Sequence, residues 1–395
     1  MVPAQVAMGL NFFGPSPLLP LIIGQYHLSR SATSLMIVAV TVVVTAFLIP
    51  GGVLATRLGT KKTVAISALL MSSGTLSMVA PNFWTLVALR VVFGAGGGML
   101  LPATTAVAAE WFGPRERSFV VGINLAGQGL GVASSMLLGG LAAEALRGWQ
   151  PVLTIYGAAA LVAFLAWMVL ARTPPRVAAE PDSISAKEVM KALTDRNALI
   201  LSIAAIGPFS VFTAFATWLP TYYHESFGIP LERASAQVAI LPIIGVIVNP
   251  ISGVVMAKLG RRKPLLFLTG VLCPIGALAS FLTSNPLIIV GGIGLLGISF
   301  WLFVPALFTI PAELPGVPLE RVAMVTSVAL LSGNLATVFS PWLVGAMTDA
   351  LGGSYVPGLT VVALTPLLIL VSAALLPETG PKAALRRDAE VKAKP

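Results

Sequence analysis

Apolar residues fill long uninterrupted runs along the chain, and short polar segments separate these runs. Each run is about 20 residues long, which lets an α-helix cross roughly 30 Å of hydrocarbon. The runs do not alternate apolar and polar residues, and they are too long for membrane strands. The pattern predicts an all-α membrane protein with twelve transmembrane helices, at about 5–25, 33–56, 63–80, 83–109, 119–144, 151–171, 198–222, 234–257, 264–283, 286–310, 322–347 and 355–376.

A basic segment that contains glycine occurs twice. The segment at 52–62 recurs at 253–263 with five of eleven positions identical, and weaker matches follow in the same order along both halves. Ordered matches in so apolar a chain indicate two equivalent bundles. We predict two six-helix bundles related by a pseudo-two-fold axis along the membrane normal. The predicted domains are an N-terminal bundle at 1–175, a cytoplasmic linker with a short surface helix at 176–197, a C-terminal bundle at 198–378 and a basic cytoplasmic tail at 379–395.

Composition and charge agree with a membrane protein. Only 10% of the residues are charged, against about 25% in soluble chains. The net charge of +9 is compatible with nucleic-acid binding until the basic residues are placed on the twelve helices. With a cytoplasmic N-terminus, twenty of the 24 Lys and Arg lie on the cytoplasmic side, and Arg30, Arg147 and Arg233 lie outside. The positive-inside rule therefore predicts a multi-pass protein of the plasma (inner) membrane, with both termini cytoplasmic and no nucleic-acid partner.

Residue patterns typical of enzymes and metal sites are missing from the sequence. There is one cysteine, Cys273, and there are two histidines, so no disulfide or Cys/His metal cluster is expected. The residues around Lys61 and Lys62 lack the spacing of a phosphate-binding loop. The glycine-rich stretches at 94–98 and 127–131 lie within apolar runs, where small residues let helices approach closely. We therefore expect no enzyme activity, no cofactor and no metal.

The chain resembles the major facilitator superfamily over about 1–378. The segments at 52–62 and 253–263 look like that family's loops between helices 2 and 3 and between helices 8 and 9, and the segment at 86–97 is similar to its helix-4 motif. Trp218-Leu-Pro-Thr221, Gly148-Trp149 and Pro377-Glu-Thr379 are also similar to family segments. The sequence as a whole is loosely similar to the cyanate-permease-like and organic-anion branches of this superfamily. The resemblance implies a transporter that works by alternating access, with its substrate site between two bundles.

Two departures from the family pattern bear on gating. The acidic residue usual in the family's 2–3 loop is Thr56 here, and Ala257 in the second copy. In the family that acid belongs to the cytoplasmic gate. We hypothesise that two repeat-related pairs replace it, Arg57 with Glu110 and Lys258 with Glu313.

Arg90 is the one ionisable side chain at clear membrane depth. A buried charge is costly in a membrane, so it should face the bundle interior and have a partner. Arg90 therefore either binds an anionic substrate or is a structural arginine held by neighbouring carbonyl groups. All fifteen Asp and Glu lie in loops, tails or helix ends. This leaves facilitated diffusion, co-transport with a substrate that carries its own proton, or coupling through a group at a helix end.

Polar and aromatic residues within the predicted helices are candidates for a central cavity. Each amide is as suited to helix–helix contact as to substrate binding. The candidate substrate-binding residues are Arg90, Asn11, Phe12, Ser16, Asn124, Gln128, Phe209, Thr213, Trp218, Asn249, Trp301 and Asn334.

The sequence thus predicts a secondary active or facilitative transporter of a small organic solute, with Arg90 favouring an anion. The alternatives are a drug/proton efflux antiporter, which the absence of a Gly-Pro pair at 122–140 disfavours, and a sensor on the same scaffold that does not transport. The expected partners are a small-molecule substrate, the lipid bilayer and either no coupling ion or a proton or sodium ion. We expect a monomer.

Overall fold

The computed structural model describes residues 1–172, 194–314, 319–380 and 382–383. In this part of the chain every regular element is a helix. The predicted linker helix, and most of the predicted tail, lie outside the described residues. The α-helices are α1 Val2–Phe13, α2 Leu19–Tyr26, α3 Arg30–Thr33, α4 Leu35–Leu58, α5 Thr60–Met71, α6 Phe83–Trp111, α7 Pro114–Ala145, α8 Trp149–Leu170, α9 Arg196–Phe227, α10 Leu231–Leu259, α11 Lys263–Ala279, α12 Pro286–Glu313, α13 Leu319–Ala350, α14 Val356–Leu364 and α15 Leu368–Leu375.

Eleven helical stretches of the described residues are long and apolar enough to cross a membrane. They correspond to eleven of the twelve predicted spans. The remaining span, predicted at 264–283, contains α11, an apolar helix of 17 residues. At 1.5 Å per residue this helix is about 26 Å long, close to the thickness of the hydrocarbon layer. The all-helical membrane fold predicted from the apolar runs is therefore confirmed.

Three of the predicted spans contain 3₁₀ segments. The first is broken at Ser16–Leu18, the third ends in Ser72–Val79, and the last is broken at Thr365–Leu367. Prolines explain two of the breaks, because Pro15 and Pro366 have no backbone N–H to donate to the preceding turn. The first break is a kink that directly follows Phe12-Phe13-Gly14-Pro15.

Contacts divide the described residues into two compact units. The first unit holds those within Met1–Asp182, Ala216–Ile243 and Pro341–Tyr355, and the second holds those within Ser183–Phe215, Ile244–Ser340 and Val356–Pro395. Each unit has its own apolar core, built around residues such as Val64 and Phe93 in the first and Phe303 and Ile369 in the second. The division into bundles at 1–175 and 198–378 remains a prediction.

Within the first unit, α1 packs closely against α7. A Cβ atom added to Gly9 would overlap the carbonyl oxygen of Gln128, and one added to Gly131 would overlap the carbonyl oxygen of Val6. The glycines of the 127–131 stretch therefore bring two helix backbones together, as small residues do in membrane proteins.

Candidate functional site

Arg90 lies on α6 with only 7% of its surface exposed. Its guanidinium donates three hydrogen bonds to main-chain oxygens: Nε to Met36 at 3.1 Å, Nη1 to Asn11 at 2.6 Å and Nη2 to Phe12 at 2.8 Å. The charge also lies 4.9 Å from the centre of the Phe93 ring, a favourable cation–π distance. Arg90 thus holds a buried positive charge with carbonyl groups as its partners.

The carbonyl groups that Arg90 binds are available because α1 ends beside them. In a continuous helix, the Asn11 oxygen would accept the N–H of residue 15, but residue 15 is a proline. The helix stops at Phe13, and Arg90 supplies a donor in place of the missing N–H. The arginine on α6 therefore stabilises the break in the first membrane span.

Asn11 uses its side chain to join helices within the first unit. Its Nδ2 donates to the main-chain oxygens of Ala7, at 2.9 Å, and Tyr156, at 2.6 Å. With Arg90, Ser77 and neighbouring apolar residues, Asn11 also lines a small enclosed cavity of about 10 Å³. Polar walls and this volume are compatible with a single bound water molecule.

Two other predicted residues of the first unit carry buried polar atoms with no hydrogen-bond partner. They are Ser16, through Oγ, and Asn124, through Oδ1. Asn124 is 3% exposed and borders an open cavity of about 470 Å³ lined also by Val2, Phe112 and Glu116. An unsatisfied buried polar group costs about 1–3 kcal/mol, so water or a ligand is expected to bind these atoms. Gln128, one turn further along α7, is half-buried.

The predicted aromatic residues of the second unit belong to one cluster. The Phe212 ring stacks on Phe300 with centroids 4.4 Å apart, and Phe209 and Trp301 contact Phe300 edge-on at 5.8 and 5.1 Å. Phe209, Phe212 and Trp301 are partly exposed, so the cluster presents an aromatic surface.

The remaining predicted residues have varied surroundings. Thr213 is 3% exposed and Asn334 is half-buried, both in the second unit. The side chain of Asn249 lies outside the described part of the structure. Trp218, in the first unit, is fully buried and donates its indole N–H to the Pro341 oxygen at 2.7 Å. That bond gives Trp218 a packing role, and its contact with substrate remains a prediction.

The two predicted gate acids have well-defined partners. Glu110 accepts a hydrogen bond from the Thr60 hydroxyl at 2.6 Å. Glu313 forms a two-point ion pair with Arg262, with distances of 2.6 and 3.0 Å. Arg262 is 6% exposed and also donates to the Met256 oxygen. The hypothesised pairs of Arg57 with Glu110 and Lys258 with Glu313 remain predictions.

Sequence reasoning missed three polar residues of the first unit. Thr154 Oγ1, Thr221 Oγ1 and Gln237 Oε1 are buried atoms without a hydrogen-bond partner. Thr154 lies within α8, Thr221 closes the Trp218-Leu-Pro-Thr221 segment, and Gln237 directly precedes an apolar run of α10. All three positions could have been chosen by the same criterion that selected Asn124.

Comparison with known proteins identifies the family to which this helical fold belongs. The family model described as Major Facilitator Superfamily matches residues 1–317. The hexuronate transporter of Bacillus subtilis is 28% identical over 235 residues, which cover 55% of this chain and 54% of that protein. The match therefore spans about half the length of that relative. A probable sulfoacetate transporter, SauU, of Cupriavidus necator is 27% identical over 322 residues, covering 75% of this chain and 74% of that protein.

A solved structure shares the fold over nearly the whole chain. A bacterial homolog of the human lysosomal transporter Spinster, in an inward-facing and unoccupied conformation, aligns with a TM-score of 0.77. It is 17% identical, and the alignment covers 94% of each chain. The transporter-named relatives and the family model point to a transporter and not to an enzyme. Because the family model matches most of the sequence, the chain belongs to the Major Facilitator Superfamily.

Proposed function

We propose that this protein carries a small organic anion across the membrane by alternating access. The two relatives described above are named for hexuronate and sulfoacetate, which are both organic acids. One carries a carboxylate group, and the other carries a carboxylate and a sulfonate. A substrate of this class needs a positive charge in its path, and the chain offers one.

The observation that carries this proposal is the environment of Arg90. Its three bonded partners are carbonyl dipoles, and the structure gives it no carboxylate partner among the described residues. Its positive charge is therefore not neutralised by a nearby negative charge. In the low dielectric of a bundle interior such a charge attracts anions and repels cations. A guanidinium has five N–H donors, and the three bonds leave two unused. The cavity of about 10 Å³ beside Arg90 has to widen during the transport cycle before an anion can reach them.

The described carboxylates support a simple coupling scheme. They lie in loops or near helix ends, as Glu110, Glu225, Glu313 and Asp349 do. We propose that transport is either facilitated diffusion or coupled to a proton or sodium ion that enters with the substrate or at a helix end. We also propose a monomer in the inner membrane with both termini in the cytoplasm, which the distribution of Lys and Arg supports.

Uptake into proteoliposomes tests the proposal directly. The panel should contain a hexuronate, sulfoacetate, glutamate and two cationic drugs, each measured with and without a pH gradient and a sodium gradient. We expect saturable uptake of at least one organic anion and none of the cations. Arg90→Gln should abolish this uptake, whereas Arg90→Lys should retain part of it because the charge remains. Wild-type uptake by folded Arg90→Gln would contradict the proposal.

A second candidate function is efflux of amphiphilic drugs. The aromatic surface formed by Phe209, Phe212 and Trp301 favours it, because such surfaces bind flat apolar molecules. The same panel separates the candidates, since drug efflux predicts movement of the cationic drugs and little effect of Arg90→Gln. Specific binding of a compound without any flux would instead indicate a sensor.

A further inference from the structure

Four polar residues from distant parts of the chain lie close together in the first unit. They lie at helix ends that the distribution of Lys and Arg predicts to face the outside of the membrane. Arg30 begins α3, Glu225 lies near the end of α9, Asp349 lies near the end of α13, and Tyr355 precedes α14. Arg30 Nη2 donates to Glu225 Oε2 at 2.6 Å. Arg30 Nε donates to the Tyr355 hydroxyl at 2.6 Å, and that hydroxyl donates to the same Glu225 oxygen at 3.0 Å.

These bonds form a closed ring, and Asp349 adds a second attachment. Its carboxylate accepts the backbone N–H groups of Arg30 and Ser31, each at 2.9 Å, and the Ser31 hydroxyl at 2.7 Å. Asp349 therefore caps the start of α3 from a different helix. Burial, together with the Glu225 carboxylate, raises the pKa of the Tyr355 phenol, so the phenol keeps the proton that it donates. The backbone and the side chain of Arg30 are thus held by two separate carboxylates.

A close backbone contact lies beside these bonds. A Cβ atom added to Gly345 of α13 would lie 2.9 Å from the carbonyl carbon and oxygen of Arg30. A similar contact joins α7 and α10, where a Cβ atom added to Gly140 would lie 2.6 Å from the Glu232 Cα. Within the described residues no ion pair occurs at this second contact. An ion pair and hydrogen bonds therefore accompany the contact at Gly345, whereas no ion pair in the described part of the chain accompanies the contact at Gly140.

The polar cluster differs from a permanent structural contact. The side chains of Arg30 and Glu225 are 25% and 26% exposed, so water can replace their bonds when the helices separate. By contrast, the Trp218 indole is fully buried and bonded in the same unit.

We propose that Arg30, Glu225, Tyr355 and Asp349 form an outer lock, which joins the outer ends of α3, α9 and α13 in this conformation and breaks when the protein opens outward. This inference rests on the proposed alternating-access function. The lock lowers the free energy of the outward-closed state only, so weakening it should shift the population toward the outward-open state.

Thiol labelling tests the lock without any knowledge of the substrate. Cys273 is the one native cysteine, and Cys273→Ala in every variant leaves the introduced reporter as the only thiol. Ser235 provides the reporter as Ser235→Cys, because it is fully buried and lies one turn beyond Glu232, on the helix that Gly140 contacts. The probe is a membrane-impermeant maleimide applied from outside to cells.

We expect Arg30→Ala, Glu225→Gln and Tyr355→Phe each to raise the rate of labelling, by about fivefold for loss of the charged pair. Glu144→Gln is the matched control. The segment at 144–148 matches the segment at 349–353, which makes Glu144 the repeat counterpart of Asp349, and Glu144 is exposed. The double exchange Arg30→Glu with Glu225→Arg should restore slow labelling. Size-exclusion chromatography and thermal melting identify variants that do not fold.

Two results would overturn the lock. One is unchanged labelling in folded Glu225→Gln and Tyr355→Phe. The other is an equal increase in Glu144→Gln, which would indicate general loosening. Because labelling requires no transport, a failure of the proposed substrate class leaves this result intact, and a failure of the lock leaves anion uptake intact.

Discussion

The Nη1 atom of Arg90 lies 2.6 Å from the main-chain oxygen of Asn11, an oxygen that a proline four residues later leaves without its helical donor. Pro15 therefore leaves the Asn11 oxygen free to accept a hydrogen bond, and Arg90 on α6 donates it. The bond explains how a positive charge is retained at membrane depth, and why it lies beside the break in the first span.

This relationship predicts coupling between the two positions. Pro15→Ala restores an N–H that the Asn11 oxygen can accept, so the loss of Arg90 should matter less in that background. We expect Arg90→Gln to lower the free energy of unfolding by about 1–3 kcal/mol in the native chain, and by clearly less in Pro15→Ala. Thermal melting of the four purified proteins measures the difference. Pro102→Ala, within α6, is the control and should leave the effect of Arg90→Gln unchanged.

The ion pair of Arg262 with Glu313 predicts an asymmetry between repeat-related acids. Glu313→Gln leaves a nearly buried guanidinium without its charged partner, which should cost about 3 kcal/mol of stability. Glu110→Gln, at the matching position of the first repeat, weakens one hydrogen bond with Thr60 and should cost about 1 kcal/mol. Equal melting temperatures for the two variants would contradict this assignment.

The contact between α1 and α7 predicts that two glycines cannot carry side chains. Gly9→Ala and Gly131→Ala should each destabilise the protein by about 1–3 kcal/mol or prevent folding, because the new methyl group overlaps main-chain atoms. Gly24→Ala and Gly122→Ala are matched controls, since a Cβ atom there meets nothing within 4 Å. Yield and thermal melting in detergent measure the effect. Tolerance of alanine at Gly9 would show that the helices can separate without cost.

Asn124 and Asn11 should respond oppositely to the same substitution. Asn124 Oδ1 has no partner, so Asn124→Leu should leave stability unchanged or raise it while lowering anion uptake about tenfold. Asn11→Leu removes two hydrogen bonds to carbonyl groups and should lower stability by about 2 kcal/mol. Melting and uptake assays on both variants are required. Normal uptake by Asn124→Leu would remove this residue from the substrate site.

Much of the fold could be predicted from the sequence because the bilayer imposes a strong constraint. A run of about 20 apolar residues must be helical to satisfy its backbone groups, so the spans follow from composition alone. The break after Phe13 was also predictable, because proline lacks an N–H wherever it occurs. The local breaks at Ser72–Val79 and Thr365–Leu367 were missed, since hydropathy does not distinguish a 3₁₀ turn from an α-helical one.

The candidate site was predictable only in part. Arg90 was identifiable as the one charge within an apolar run, but the sequence left open whether its partner is a carbonyl group or a ligand. Near Glu313 the chain has four basic residues between 258 and 263, and only the direction of the side chains decides that Arg262 binds it. The cluster of Arg30, Glu225 and Tyr355 joins residues up to 325 positions apart.

The sequence by itself determined that this protein is an all-helical membrane protein, because hydrocarbon thickness and charge distribution act on local composition. Its place in a known superfamily rests instead on its motifs and on the family match. Only the tertiary structure decided which polar groups pair. Partner choice depends on how helices that are distant in sequence cross, as Arg30 and Asp349 show, and no local property of the chain specifies that crossing.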